Sequence, residues 1–203
     1  MHPVVTRLAG ARIIPVIRTS TAAHAATAVA WLREVGISTV EITLTTPDAV
    51  ALIRTLAADP GLLVGAGTVP DAEAARACLA AGAQFLVTPW VDTEVCAVAR
   101  AAGAAMLPGA FTPTEVRAAL SAGADAVKIF PASSGGSAHL KALRSVFPGV
   151  AFCPTGGVDP RNTAEWFAAG AAFVGMGGKL ADEALIAAGD KPALQAAARA
   201  ALA

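Results

Sequence analysis

The amino-acid sequence predicts a single α/β domain folded as a closed (β/α)8 barrel, the architecture known as the TIM barrel. Short segments rich in β-branched residues alternate with Ala-rich helical segments along the whole chain, a pattern typical of a parallel sheet. We count eight such units, and 203 residues is near the lower limit of about 200 residues for that barrel. Because no linker, charge block or low-complexity tail separates the units, residues 1–203 are predicted to be one domain.

Eight strands and the helices between them follow from residue type and from the signals at helix ends. The predicted strands are residues 12–18, 39–44, 63–69, 85–89, 105–109, 126–130, 151–155 and 172–177. Helices are predicted between them, among them residues 22–35, 71–81 and 93–102. Capping residues predict where helices begin, at Ser20, Thr46, Asp71, Thr112 and Asp159. Glycines predict where helices end, at Gly36, Gly82, Gly103, Gly123 and Gly170.

An open, doubly wound parallel sheet is the alternative architecture. That fold carries a glycine-rich nucleotide-binding turn after its first strand. In this chain the first predicted strand is followed by Arg18-Thr19-Ser20-Thr21, which contains no glycine. The closed barrel is therefore the preferred prediction.

Composition and charge argue against several classes of function. The 15 basic and 15 acidic residues leave no net charge, so we expect no nucleic acid or other polyanion as a partner. No apolar stretch reaches the ~20 residues of a membrane-spanning helix, and the N-terminus lacks a signal-peptide pattern, so we expect a soluble, cytoplasmic protein.

Cys78, Cys96 and Cys153 are expected to be reduced and to fill core space. The histidines show no metal-ligand spacing, and His24 and His139 are expected to be helix-surface residues.

Lys128 is the most informative residue in the chain. It stands in the apolar segment Ala126-Val127-Lys128-Ile129-Phe130-Pro131, where a buried ammonium group is costly unless it is paired, neutralised or used chemically. A desolvated lysine loses part of its preference for the charged form, and a neutral amine can attack a carbonyl carbon to form a Schiff base. Lys128 is therefore the first candidate nucleophile.

Side-chain alternation predicts that a lysine, a carboxylate, an arginine and two hydroxyl groups converge inside the barrel. Glu41 and Lys128 fall on the faces of their strands opposite the apolar residues that contact the helices. Arg18 and Thr155 share the inward faces of strands one and seven, and Thr68 is grouped with the even-numbered residues of strand three. Arg18 and Thr68 lie near the C-terminal strand ends, where such barrels carry their active sites. The alternative is a purely structural buried ion pair between Glu41 and Lys128.

Two glycine-containing segments follow the last two predicted strands. Gly156 and Gly157 come after the seventh strand, in the sequence Pro-Thr-Gly-Gly-Val-Asp-Pro-Arg-Asn, and Gly177 and Gly178 end the eighth. Loops in these positions commonly bind phosphate through backbone N–H groups and a helix N-terminus, and adjacent glycines permit a close approach of the anion. The alternative is that both are turns that need glycine only for their backbone conformation.

Seven short segments, spread over nearly the whole chain, form a family pattern. They are Val-Glu-Ile-Thr-Leu at 40–44, Val-Gly-Ala-Gly-Thr-Val at 64–69, Ala-Gly-Ala-Gln-Phe at 81–85, Thr-Pro at 88–89, Leu-Pro-Gly at 107–109, Val-Lys-Ile-Phe-Pro-Ala at 127–132 and Phe-Cys-Pro-Thr-Gly-Gly-Val at 152–158. Together they resemble the class I 2-keto-3-deoxy-6-phosphogluconate (KDPG) aldolases, a family that includes 4-hydroxy-2-oxoglutarate (KHG) aldolases.

The resemblance implies roles for the residues selected above. It places the Schiff-base lysine at Lys128 and the general acid/base at Glu41. The residues expected to bind substrate are Arg18, Thr68, Pro89, Phe130, Thr155, Gly156, Gly157, Gly177 and Gly178. Some members hold the substrate carboxylate with an arginine at the position of Thr45, and others with one at the end of strand one, so this contact is assigned to Arg18. Relatives often have serine where Gly178 stands, followed here by Lys179.

The implied reaction is reversible aldol cleavage without a cofactor or metal. KDPG would yield pyruvate and glyceraldehyde 3-phosphate, and KHG would yield pyruvate and glyoxylate. The resemblance also implies a homotrimer and a role in carbohydrate metabolism such as the Entner–Doudoroff pathway.

The sequence leaves three alternative functions open. One is cleavage of the C4-epimeric 6-phosphogalactonate substrate, whose aldolases resemble this chain in having proline at the position of Pro47. Another is an isomerase or synthase on a phosphate-binding barrel, which would use carboxylates or metal instead of an imine. The third is a barrel that binds a sugar phosphate without turnover or only assembles into oligomers.

Overall fold

Strands and helices alternate along residues 1–202, which a computed structural model of the chain describes. The strands are β1 (Ile13–Ile17), β2 (Thr39–Thr43), β3 (Leu63–Gly67), β4 (Phe85–Val87), β5 (Ala105–Leu107), β6 (Gly109–Ala110), β7 (Val127–Ile129), β8 (Phe152–Pro154) and β9 (Val174–Met176). The helices are α1 (Pro3–Ala11), α2 (Ala22–Arg33), α3 (Ala49–Ala57), α4 (Ala72–Ala80), α5 (Thr93–Ala101), α6 (Pro113–Ser121), α7 (Ala132–Val146), α8 (Thr163–Ala168), α9 (Glu183–Ala187) and α10 (Lys191–Leu202). None of the helices in residues 1–202 has the length and apolarity that a bilayer crossing requires.

The strands pair in parallel and form a curled sheet, which confirms the predicted α/β class. Six strands follow the order β5-β4-β3-β2-β1-β9, and three follow the order β6-β7-β8. The last strand therefore lies beside the first, an arrangement that an open doubly wound sheet does not have. An isolated bridge between Thr155 and Gly175 links the end of β8 to β9.

The predicted fifth strand is divided into two. Pro108 separates β5 from β6, because proline has no N–H group to contribute to a ladder. β5 pairs with β4 on one side, and β6 pairs with β7 on the other, with Gly109 opposite Lys128. The segment thus changes pairing partner where the proline stands.

Two predicted helix starts are displaced because the side chains concerned are bonded elsewhere. The Ser20 hydroxyl donates to a carboxylate of α9, and Thr21 caps α2 instead. The Thr46 hydroxyl oxygen accepts a bond from a backbone N–H of the loop after β1, and α3 begins after Asp48.

The remaining signals at helix ends are mostly confirmed. Asp71 caps α4, and Thr112 forms a capping box at the start of α6. The helix start predicted at Asp159 is wrong. Its carboxylate accepts hydrogen bonds from Arg161, and α8 begins only after Asn162. All five glycines predicted to end helices have a positive φ: Gly36, Gly82, Gly103, Gly123 and Gly170.

Apolar side chains lie in two layers, one between the sheet and the helices and one inside the curl of the sheet. Val64 and Ala66 of β3 pack in the outer layer, whereas Leu63 packs in the inner one. The prediction that the even-numbered residues of this strand face inward is therefore wrong. At the N-terminal end of the strands the interior is filled from α1, where Val5 and Leu8 are fully buried.

Glycine on the inner face of β3 makes room for a large ring from the neighbouring strand. A Cβ atom at Gly65 would overlap the ring of Phe85, which is fully buried. The strand therefore carries no side chain at a position where the interior is already occupied.

We predict that Gly65→Ala lowers the free energy of unfolding by about 1–3 kcal/mol, the usual cost of overpacking a core. Urea denaturation measures this change. Gly10→Ala is the matched control, because Gly10 lies on the exposed side of α1 and an added Cβ meets nothing within 4 Å among the described residues. The control should be up to about 1 kcal/mol more stable than wild type, since alanine favours helix. Equal stabilities of Gly65→Ala and wild type would contradict the packing described.

Candidate functional site

A cavity of about 740 Å³ opens where the strands end at their C-termini. In (β/α)8 barrels the active site lies at this end of the parallel strands. Its lining residues are Val16, Arg18, Thr68, Pro89, Lys128, Phe130, Thr155, Gly156, Gly157, Val158, Gly177, Gly178 and Lys179.

The structure brings the predicted residues together. Lys128 and all nine residues expected to bind substrate line this one cavity, whereas Glu41 is buried beside it and does not line it. Val16, Val158 and Lys179 also line the cavity and were not among the predicted site residues. Val16 could have been found from its place on the inner face of β1, two residues before Arg18.

Lys128 occupies the middle of β7, between a glycine of β6 and a cysteine of β8. Its Cα partners are Gly109 and Cys153, and its side chain is only 4% exposed. Among residues 1–202 no carboxylate oxygen lies within 4 Å of Lys128 Nζ. The alternative of a structural ion pair with Glu41 is therefore wrong. Lys128 Nζ lies 5.2 Å from the centre of the Phe130 ring.

Glu41 is buried with a carboxylate oxygen that lacks a donor. It is 3% exposed, and in the described part of the chain Oε1 accepts no hydrogen bond. Gly67 on β3 leaves space for this group, because a Cβ atom there would overlap Oε1. Burial raises the pKa of Glu41 above its usual range, and the charges of Lys128 and Arg18 oppose that rise. Glu41 is thus suited to binding and releasing a proton nearer neutral pH.

Arg18 and Thr68 form one wall of the cavity. Arg18 follows β1, and its Nη2 donates to Thr68 Oγ1 at 3.4 Å. Thr68 has a φ of 55°, a left-handed conformation that costs a non-glycine residue about 1–3 kcal/mol. This turn, rather than strand alternation, brings Thr68 to the cavity.

The two glycine pairs differ in what they require of the backbone. Gly156 and Gly157 have φ values of 90° and 79°, so glycine is needed there for conformation. Gly177 and Gly178 have no positive φ, and a Cβ atom at Gly178 would meet nothing within 4 Å in residues 1–202. Neither conformation nor packing therefore excludes a side chain at Gly178.

The cysteines lie where they were predicted, whereas the histidines are less exposed than predicted. Cys78, Cys96 and Cys153 are free and buried, as predicted, and burial raises the pKa of Cys153 to about 12. His24 and His139 lie on helices, but both are half-buried and hydrogen-bonded rather than free at the surface. Residues 1–202 contain no group of three His, Cys, Asp or Glu side chains arranged to hold a metal ion.

Comparison with known proteins places these observations in a family. Residues 4–197 match the family model described as KDPG and KHG aldolase. The chain is 38% identical to a 2-dehydro-3-deoxy-phosphogluconate aldolase of Pseudomonas aeruginosa, over 78% of this chain and 73% of the relative. It is also 38% identical to a 2-dehydro-3-deoxy-6-phosphogalactonate aldolase of Escherichia coli, over 83% of each.

Solved structures agree with these matches. A KDPG aldolase from Legionella pneumophila, described with pyruvate captured as a covalent carbinolamine, superposes with a TM-score of 0.90 at 31% identity, covering 98% of this chain and 97% of that one. A 3-hexulose-6-phosphate synthase superposes with a TM-score of 0.73 at 18% identity, covering 94% of this chain and 98% of the other. The second match shows the fold alone.

We predict that Glu41→Gln raises the thermal midpoint at pH 7, by about 2–4 °C for each kcal/mol that burial of the charge costs. A carboxyl group whose folded pKa lies above its unfolded pKa costs no stability below the unfolded value of about 4, and the cost grows as pH rises toward the folded value. Glutamine keeps the shape without the charge, so the gain should nearly vanish at pH 4. Thermal unfolding at both pH values measures the effect.

Glu73→Gln is the control, because Glu73 is exposed and its charge is not buried. It should leave the midpoint nearly unchanged at both pH values. A Glu41→Gln midpoint at or below that of wild type at pH 7 would show that the buried charge does not destabilise the folded protein.

Proposed function

The chain belongs to the KDPG and KHG aldolase family and is an aldolase, and we propose that it reversibly cleaves KDPG to pyruvate and glyceraldehyde 3-phosphate. Cleavage of KHG to pyruvate and glyoxylate is proposed as a second reaction of the same site. The observation that carries the proposal is a buried lysine, free of any carboxylate contact within 4 Å in residues 1–202, in the wall of a cavity beside a buried glutamate.

Lys128 is the proposed nucleophile. Nζ attacks the C2 ketone to form a carbinolamine, which loses water to leave an iminium ion. The C3–C4 bond then breaks, its electron pair moves toward the iminium nitrogen, and the C4 hydroxyl loses its proton as the aldehyde forms. The remaining enamine takes a proton at C3, and hydrolysis of the imine releases pyruvate and free Lys128. The carbinolamine described for the Legionella pneumophila structure supports this sequence by analogy.

Glu41 is the proposed proton carrier for these steps. Its carboxylate takes the C4 hydroxyl proton, directly or through a water molecule, and returns a proton to C3 of the enamine. The raised pKa and the unpaired Oε1 within residues 1–202 support the role, because the group can change protonation state without breaking a hydrogen bond. Loss of water from the carbinolamine uses the same group.

Three basic side chains line the cavity, and in the described chain no carboxylate lines it. They are Arg18, Lys128 and Lys179. We assign the substrate carboxylate to Arg18 and Thr68, which are hydrogen-bonded to each other. The phosphate is assigned to the backbone of Gly156, Gly157, Gly177 and Gly178, with Thr155, Pro89 and Phe130 completing the walls. An excess of positive charge is suited to a substrate with two anionic groups.

Cleavage of the C4 epimer, 2-dehydro-3-deoxy-6-phosphogalactonate, is the second candidate. Two features favour it: the chain has the proline at Pro47 that the resemblance connects with these aldolases, and the Escherichia coli relative of that name is as similar as the phosphogluconate relative. An isomerase or synthase has weaker support, since the synthase neighbour shares only 18% identity.

Closure of the sheet into an eight-stranded barrel is also proposed, with β5 and β6 counted as one strand. Two hydrogen bonds at the junctions between the sheets support closure. Asp125 N donates to Met106 O at 2.9 Å, and Ala172 N donates to Phe152 O at 2.9 Å.

We further propose that residues 1–203 form one domain, and that the protein is a cytoplasmic homotrimer acting in a pathway of the Entner–Doudoroff type, as family membership implies.

We predict that borohydride treatment in the presence of pyruvate leaves a reduced pyruvyl adduct on Lys128. Intact-protein and peptide mass spectrometry detect the adduct, and Lys128→Ala is the control that should show none.

Lys128→Met should lower kcat by at least about 10³-fold, because the covalent route is lost. An adduct-free wild-type protein that is folded would refute the imine, and turnover retained by Lys128→Met would favour the isomerase or synthase function.

We predict a higher kcat/KM for KDPG than for its C4 epimer. Release of pyruvate, followed with lactate dehydrogenase, compares the two under identical conditions. A kcat/KM for the galactonate epimer that exceeds the value for KDPG would reverse the assignment while leaving the imine chemistry intact.

A further inference from the structure

A single carboxylate oxygen outside the cavity accepts three hydrogen bonds from a distant part of the chain. Glu183 Oε1 accepts bonds from Ser20 N at 2.8 Å, Ser20 Oγ at 2.6 Å and His24 Nδ1 at 2.8 Å. Glu183 begins α9, whereas Ser20 lies in the loop after β1 and His24 in the first turns of α2. We call these three residues the clasp. The bonds with His24 and Ser20 lower the pKa of Glu183 to about 2, so its carboxylate is ionised at neutral pH.

The clasp joins two loops that each place a cation at the cavity. Arg18 comes two residues before Ser20, and Lys179 comes four residues before Glu183. The residues between Lys179 and Glu183 include Leu180, which is buried, so that segment is anchored against the core. A shift of either end of the clasp therefore shifts a cation in the wall of the cavity.

Strand pairing does not hold these two loops together. The ladder between β1 and β9 ends at Pro15 and Met176. Beyond that point, in the chain as far as residue 202, every hydrogen bond between residues 18–24 and residues 177–183 ends on Glu183 Oε1. Arg18 and Lys179 carry like charges that repel each other across the cavity, which favours separation of the loops.

We propose that Glu183 is a positioning residue that holds Arg18 and Lys179 at the separation needed by a substrate with an anionic group at each end. This inference rests on the proposed function, which supplies such a substrate in a phosphorylated 2-oxo acid. Glu183 does not line the cavity, so its effect is on substrate binding and not on the chemistry at Lys128.

Kinetics of Glu183→Ala test the proposal against a ligand with one anionic group. The KM for KDPG should rise about 5- to 20-fold with kcat changed less than about twofold, the pattern of lost binding without lost chemistry. The pyruvate concentration that half-saturates borohydride trapping should rise less, because pyruvate reaches only one cation. Glu183→Gln should be intermediate, because its amide oxygen still accepts hydrogen bonds but carries no charge.

Glu34→Gln is the matched control. Glu34 also joins distant parts of the chain through a cation, since Lys191 Nζ of α10 donates to its carboxylate at 2.6 Å, but neither residue lines the cavity. Its thermal midpoint should fall about as much as that of Glu183→Ala, with KM unchanged within about twofold. Equal rises of KM in both variants would assign Glu183 a general stabilising role and overturn the proposal.

Amide hydrogen exchange supplies a readout that does not depend on turnover. Glu183→Ala should speed exchange in residues 18–24 and in residues 177–183, with β7 unchanged, whereas Glu34→Gln should leave both segments as in wild type. Unchanged exchange in the two segments of Glu183→Ala would overturn the proposal. A wild-type protein that cleaves no aldol and forms no pyruvate adduct would refute the proposed function, and exchange would still decide whether Glu183 holds the loops.

Discussion

The separation of a buried carboxylate from a buried amine is the constraint on which the rest of the cavity depends. Glu41 and Lys128 attract each other through the interior, yet they lie outside ion-pair contact, and no donor within residues 1–202 satisfies Glu41 Oε1. Direct contact would satisfy both groups and leave neither free to react. The space left by Gly67 and the field of Arg18 make the separated arrangement tolerable. The interior thus gives up some stability to keep the amine and the carboxylate apart.

The same interior serves as a packed core at one end and as a polar chamber at the other. Near the N-terminal ends of the strands, Leu8 of α1, Leu63 and Phe85 fill it completely. Toward the C-terminal ends the side chains become polar, and the neighbouring loops supply glycines and cations. The packed end fixes the height and register of the strands, and this holds the polar residues farther along each strand in place.

Strand alternation was sufficient to place Lys128 and Glu41 on the inner faces of their strands, because both lie in the middle of regular strands where the period of two holds. It failed for Thr68, whose position depends on a left-handed backbone conformation that residue type does not signal. Capping rules failed at Ser20, since its hydroxyl is recruited by a carboxylate 163 positions away in the sequence. Local patterns therefore predicted the strands and the burial of Lys128 and Glu41, whereas contacts between distant loops required the three-dimensional structure.

α1 fills the N-terminal end of the interior, and the mouth of the chamber lies at the C-terminal ends of the strands. Lys128 is only 4% exposed, whereas Phe130 and the loop cations lie toward the solvent side of the same cavity. This geometry imposes an order on the two reaction partners. A pyruvyl group attached to Lys128 lies deeper in the chamber than an aldehyde at its mouth. On the proposed mechanism the aldehyde therefore departs before pyruvate in cleavage, and pyruvate enters before the aldehyde in condensation. An aldehyde that arrives first would block the path to the amine, so we expect high aldehyde concentrations to inhibit synthesis competitively with pyruvate.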